Sequence, residues 1–176
     1  CIRDSKIANE IGTLGIDSVA LCSVFSPVND EMEKAAAEIM RKRLPNASFT
    51  LSSEIGRLGI LERENAAIMN ASLRKLSAHT VGAIGEALKS INLNCPYYIT
   101  QNDGTLMSAK FVQEYPVLTF ASGPTNSMRG ASFLTGEKNA IVIDVGGTST
   151  DVGALVNGFP RPASTCLLYT SDAADD

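Results

Sequence analysis

A second histidine is missing from this chain. His79 stands alone in a helical pattern, so a histidine-built metal cluster is not expected. The four cysteines, Cys1, Cys22, Cys95 and Cys166, lie far apart and never form C-x-x-C, which removes the usual zinc and redox spacings. Cys22 sits inside "SVALCSVF" and reads as a reduced core thiol, giving a cytoplasmic setting as the expectation. Basic residues cluster only at Arg41-Lys42-Arg43, too small a patch to predict nucleic acid as a partner. No apolar run reaches the roughly 18 residues of a membrane helix, and the first residues lack a signal-peptide layout. Low-complexity segments and short internal repeats are absent as well.

What is present is the make-up of a globular α/β chain. Its 176 residues are 44% hydrophobic and 19% charged, with a dispersed net charge of -4. That length fits one domain or two small lobes, burying roughly 70% of the unfolded surface. "DSVALCSVF" (17–25) reads as a strand. Asp30 and Glu33 form a capping-box pattern before a helix with Met32, Ala35, Ala36, Ile39 and Met40 as its apolar stripe. "SFTLSS" (48–53) is a short strand. A long helix is expected over 64–91, with Met69, Leu73, Leu76, Ile84, Leu88 and Ile91 facing the core. "YYITQ" (97–101) and "PVLTFASG" (116–123) read as further strands, the latter leading into a helix that starts at Pro124 and runs to about 135. Alternating strands and helices predict βαβ units, with "VALCSVF", "YYITQ" and "VLTFA" parallel in one sheet.

The most informative stretch is "AIVIDVGGTSTDVGALV" (140–156). An apolar strand ends in Asp144, the glycines Gly146 and Gly147 follow, and Thr148, Ser149 and Thr150 lead to Asp151. The short link permits only an antiparallel hairpin. A buried carboxylate needs a partner, a hydrogen bond or a cation. Glycines allow a phosphate to approach backbone amides, hydroxyls donate to its oxygens, and carboxylates at the rim hold Mg²⁺. A plain hairpin with Asp144 capping the turn is the alternative.

"DVGGTSTDV" resembles the phosphate loop of actin-like ATPases. Together with "TLSSEIGRLGILERENAAIMNASL" (50–73), "ITQNDGTLM" (99–107) and "SGPTNSMRGA" (122–131), it resembles the hydantoinase A / 5-oxoprolinase family from Asp4 to about Ser164. The resemblance implies an actin-like (RNase H-like) fold: a parallel-sheet lobe over 1–121, a crossover helix over 122–138, and the first hairpin of another lobe over 139–164. It implies ATP and Mg²⁺ as cofactors, with Gly146, Gly147, Thr148, Ser149 and Thr150 at the phosphates. Asp144 and Asp151 would hold the metal or the attacking water. The implied substrate is a cyclic amide or imide (hydantoin, N-methylhydantoin or 5-oxoproline), with a second hydantoinase-type subunit or domain as partner. A ketone carboxylase and a non-catalytic nucleotide switch remain the alternatives. Because the family carries an earlier copy of the loop, this chain is expected to be a fragment holding half a nucleotide cleft. Residues 165–176 break with the preceding pattern and read as a non-native tail.

Three further places have two readings each. Ser122 and Gly123 open a helix whose N-terminus receives an anion, or simply turn the chain, and Arg129 either reaches a phosphate or sits on the surface. Glu54, Arg57, Glu62, Arg63 and Glu64 read first as a solvated, ion-paired helix start and second as an acid–base site. Asp103 reads as a turn former before a substrate-side carboxylate.

Overall fold

The computed structural model describes residues 2–56 and 59–161. Arg57, Cys1, Cys166 and the expected tail 165–176 fall outside these residues. The elements run α1 (Ile2–Thr13), β1 (Ser18–Leu21), α2 (Glu31–Arg43), β2 (Ser48–Leu51), α3 (Ile60–Ser90), β3 (Tyr98–Thr100), β4 (Leu106–Ser108), α4 (Ala109–Glu114), α5 (Ser122–Thr135), β5 (Ala140–Val145), β6 (Thr150–Val156) and β7 (Phe159–Pro160). Short 3-10 turns occupy Ser52–Glu54 and Pro116–Thr119. The chain divides into two compact units: Cys1–Ile99 with Met107–Phe120, and Thr100–Leu106 with Ala121–Asp176.

The first unit is built on a βαβ motif. β1 and β2 pair in parallel, Ser18 opposite Ser48 and Leu21 opposite Leu51, with α2 as the crossover. α1 and α2 cover one side and α3 packs across both strands. Ala8, Val19, Ala37, Met40, Phe49 and Leu51 form the core, with Ile11, Leu21, Leu44 and Ala47 packed around it. Burying a side chain such as Phe49 or Leu51 contributes about 1.5–3 kcal/mol. Another cluster, Val81, Met107 and Val112, joins α3 to β4 and α4. The Tyr97 hydroxyl donates to the Val81 carbonyl (2.7 Å) and closes that end.

Several expectations fail against this structure. The first strand stops at Leu21. Residues beyond it turn, leaving Val24 and Phe25 exposed and Cys22 on the surface rather than in the core. Asp30 makes no side-chain cap. Glu33 points inward, and the buried face of α2 is Glu33, Ala37 and Met40, while Met32 is exposed. α3 begins at Ile60 and buries Arg63, Ala67, Asn70, Ala71 and Val81, a stripe about one residue round from the expected one. β3 pairs with β4 rather than joining a common sheet with β1. "PVLT" is a 3-10 turn, because the Val117 N–H is taken by the buried Asn70 Oδ1 (3.2 Å) and the Phe120 N–H by the Val117 carbonyl (3.1 Å). Asn70 therefore fixes this segment from outside, overriding its strand-like composition.

In the other unit, β5 and β6 form the expected antiparallel hairpin, extended by β7 through Leu155–Pro160 and Val156–Phe159. α5 packs on one face of this sheet. It starts two residues before Pro124, entered through Ala121 in a left-handed conformation (φ 57°). At Gly153 a side chain would overlap Sδ and Cε of Met128, so glycine allows the helix to lie directly on β6. The turn at Gly104 (φ 85°) is tucked against Thr125 and Pro160, and the Thr125 hydroxyl donates to the Asn102 carbonyl (2.8 Å).

Candidate functional site

The hairpin register places Asp144 directly opposite Asp151. Both belong to the face that carries Val142, Gly153 and Leu155, the side against which α5 lies, and both are half-buried. Like charges directly opposite on an antiparallel pair destabilise it, unless a cation or donors sit between them. Gly146 donates its N–H to the Ser149 carbonyl (2.9 Å) and closes the turn. Gly147 is the open point: no heavy atom lies within 4 Å of where a Cβ would stand. Gly146, Gly147, Thr148, Ser149 and Thr150 are all exposed at this tip. The structure thus brings together the seven residues singled out in the sequence. Two opposed carboxylates beside a hydroxyl-rich turn are an all-oxygen donor set, which suits Mg²⁺, and the unshielded turn suits a phosphate.

The strand carrying Asp144 is less buried than its composition implies. Ile141, Ile143 and Val145 on β5 and Val152 on β6 are 62–73% exposed on the outward face. Asp144 is accordingly a half-buried group at a rim.

The other motifs resolve differently. Arg129 donates to the Gly158 carbonyl and stacks over the Phe159 ring (4.2 Å to the centroid), so it fastens α5 to β7. Asp103 is exposed and its Oδ1 accepts from the N–H (2.8 Å) and hydroxyl (2.7 Å) of Thr105, which makes it the turn former. Glu62 and Glu64 are exposed at the start of α3, and Glu54 accepts from the Tyr115 hydroxyl (3.1 Å).

Arg63 departs from the solvated reading: it is fully buried. Its Nε donates to the Ser52 hydroxyl (3.0 Å), and an Nη donates to the carbonyls of Ser23 (2.6 Å) and Val24 (3.3 Å). Ser52 in turn donates to Glu33, which also accepts the N–H groups of Ser23 (2.8 Å) and Ser53 (3.0 Å). Burial works against the Glu33 charge, but these donors prevail and hold its carboxyl below the ordinary value. The network ties the carboxyl ends of β1 and β2 to α2 and α3. Its sequence signals were ambiguous: Glu33, three residues after Asp30, matches a capping box equally well, and Arg63 reads as part of a solvated helix start.

Comparison with known proteins bears on what these motifs belong to. The hydantoinase/oxoprolinase family model matches residues 63–168. The chain belongs to the hydantoinase/oxoprolinase family. It is similar to the acetophenone carboxylase gamma subunit of Aromatoleum aromaticum, 26% identical over 156 residues covering 84% of this chain and 21% of that one. It is also similar to caprolactamase subunit alpha of Pseudomonas jessenii, 24% identical over 141 residues covering 78% and 20%. This family member therefore spans about a fifth of the length of the curated relatives it matches. Its mixed α/β fold is shared with nucleotide-free acetone carboxylase, at a TM-score of 0.68 and 22% identity over 88% of this chain and 23% of that one. Among the described residues no helix is long and apolar enough to cross a membrane.

Proposed function

We propose that this chain is part of an ATP-dependent enzyme subunit that opens a cyclic amide or imide. The observation that carries the reading is the hairpin, with Asp144 opposite Asp151 across a turn open at Gly147. Gly147, Thr148, Ser149 and Thr150 bind the phosphates of ATP. Asp144 and Asp151 hold Mg²⁺, which when bound neutralises charge on the transferred phosphoryl group. The ring amide oxygen takes the γ-phosphoryl group and ADP leaves. Water then adds to the activated carbon, the ring C–N bond breaks to leave an amine and an acyl phosphate, and a second water hydrolyses the acyl phosphate to carboxylate and phosphate. Hydantoin, N-methylhydantoin and 5-oxoproline are the substrate class, and similarity to a caprolactamase subunit supports an amide ring as the target.

The first unit is assigned to the later part of one actin-like lobe, and the β5–β6 hairpin to the start of the next. The rest of the nucleotide cleft, and a partner subunit, complete the enzyme. Both relatives are named as subunits.

A rival reading has its own support. Similarity to an acetophenone carboxylase subunit fits the same ATP site activating a ketone for carboxylation. Incubating the full-length protein and its partner with Mg-ATP and each substrate class separates the two. Ring-opened product formed with ADP supports the first, and carboxylated ketone from bicarbonate supports the rival. ADP release with neither product would make the domain a nucleotide switch.

A further inference from the structure

The outer edge of β2 carries another polar site, remote in sequence from the phosphate loop. Ser48 turns its N–H toward β1, where it meets the Asp17 carbonyl (2.8 Å), so the backbone groups of Phe49 face outward. Two guanidinium groups converge on that residue. Arg74 donates to the Phe49 carbonyl (2.8 Å), and Arg41 lies 5.7 Å from the centroid of its ring. They line a groove of about 550 Å³, whose lining also includes Glu54, Glu114 and Tyr115. The Tyr115 hydroxyl donates to Glu54 (3.1 Å), and burial, then the Glu54 charge, pushes the phenol above its ordinary value. Asn70 also lines the groove, fully buried and fixed by Thr50 (3.1 Å), the Glu114 carbonyl (3.0 Å) and the Val117 N–H.

We infer that this groove binds a zwitterionic small amino acid, its carboxylate at Arg41 and Arg74 and its ammonium at Glu54 and Glu114. A guanidinium has five donors, so Arg74 keeps capacity beyond its bond to Phe49. A purely anionic ligand would meet two carboxylates and a purely cationic one two arginines, so the lining selects for both charges in one molecule. The volume lies in the range of small-molecule sites, roughly 300–1,000 Å³. Opening a lactam yields such an amino acid, a link that rests on the ring-opening reading. The groove itself does not depend on that reading.

Calorimetry on the chain without ATP tests this, using ω-aminohexanoate, hexanoate and hexylamine as probes. The zwitterion is expected to bind about tenfold more tightly than either half-ligand, and Arg41→Gln or Glu54→Gln each to weaken it about tenfold with the melting temperature kept. Both side chains are exposed, so neither change threatens the fold. Equal affinity for the three probes, no heat at about 10 mM, or full binding by the Arg41→Gln/Glu54→Gln double variant would overturn the inference. Because no turnover is scored, failure here leaves the ring-opening reading standing, and failure of that reading leaves this site standing.

Discussion

The β1–β2 strand pair and the β5–β6 hairpin have similar apolar sequences but are built differently. β1 and β2 are enclosed: Phe49 and Leu51 are buried, and Glu33, Ser52 and Arg63 satisfy one another behind the strand ends. The hairpin lies against α5 on one face and leaves Ile141, Ile143, Val145 and Val152 outward. At its tip two carboxylates face each other. The strand pair uses its polar groups to hold itself together. The hairpin leaves its two carboxylates half-buried at a rim, where we propose that they meet a ligand. That contrast separates a structural polar cluster from a site more clearly than composition does.

The contrast breaks most severely at Arg63. Arg63→Met removes a buried cation and leaves the Ser52 hydroxyl and the carbonyls of Ser23 and Val24 short of a donor. The expected loss is about 3–5 kcal/mol, read by denaturant melts. If stability changes by less than about 1 kcal/mol, the network is not what fastens the strand ends. At the hairpin, Gly153→Val should cost about 1–3 kcal/mol through overlap with Met128, and Met128→Ala should restore part of it. Additive effects in the double variant would contradict direct packing there.

Much of the hairpin was legible in advance because local rules dominate it. Alternation in "AIVIDV", a glycine turn and another alternating run determine its register without outside help. The long helix was legible in existence but not in orientation. Its inward stripe holds Arg63, Asn70, Arg74 and Ser77, and the last three bond to Thr50, Phe49 and Val112 across the fold. Hydrophobic periodicity cannot register a polar residue whose partner lies on another element. The same blindness turned "PVLT" into an expected strand and Glu33 into an expected cap. Asp144 and Asp151 could be paired from the sequence; that Arg129 is a fastener could not, since its partners Gly158 and Phe159 lie beyond the whole β5–β6 hairpin.

Smaller effects sharpen the contrast. Gly147→Val should leave the melting temperature unchanged, because the position is open, while weakening Mg-ATP binding to the full-length protein about tenfold. A drop in melting temperature would instead show that the turn itself needs glycine. The least change expected is in the pH dependence of the first unit. The Glu33 carboxyl is held below its unfolded value of about 4.3, so its contribution is complete above that pH and is lost as pH falls through the lower folded value. Glu33→Gln should flatten the acid limb of the stability–pH curve. An unchanged limb would mean that Glu33 does not supply it.

The central claim is that the carboxylate at Asp144 serves a phosphate-bound cation and does not merely shape the turn. Steady-state ATP hydrolysis by full-length Asp144→Asn, with melting curves alongside, tests it most directly. Asparagine keeps the shape and caps a turn as well as aspartate, so a merely structural residue would give near-normal turnover. The expected result is an unchanged melting temperature with turnover lowered about 10²-fold, close to 2.7 kcal/mol of transition-state stabilisation. Wild-type turnover in that variant would contradict it.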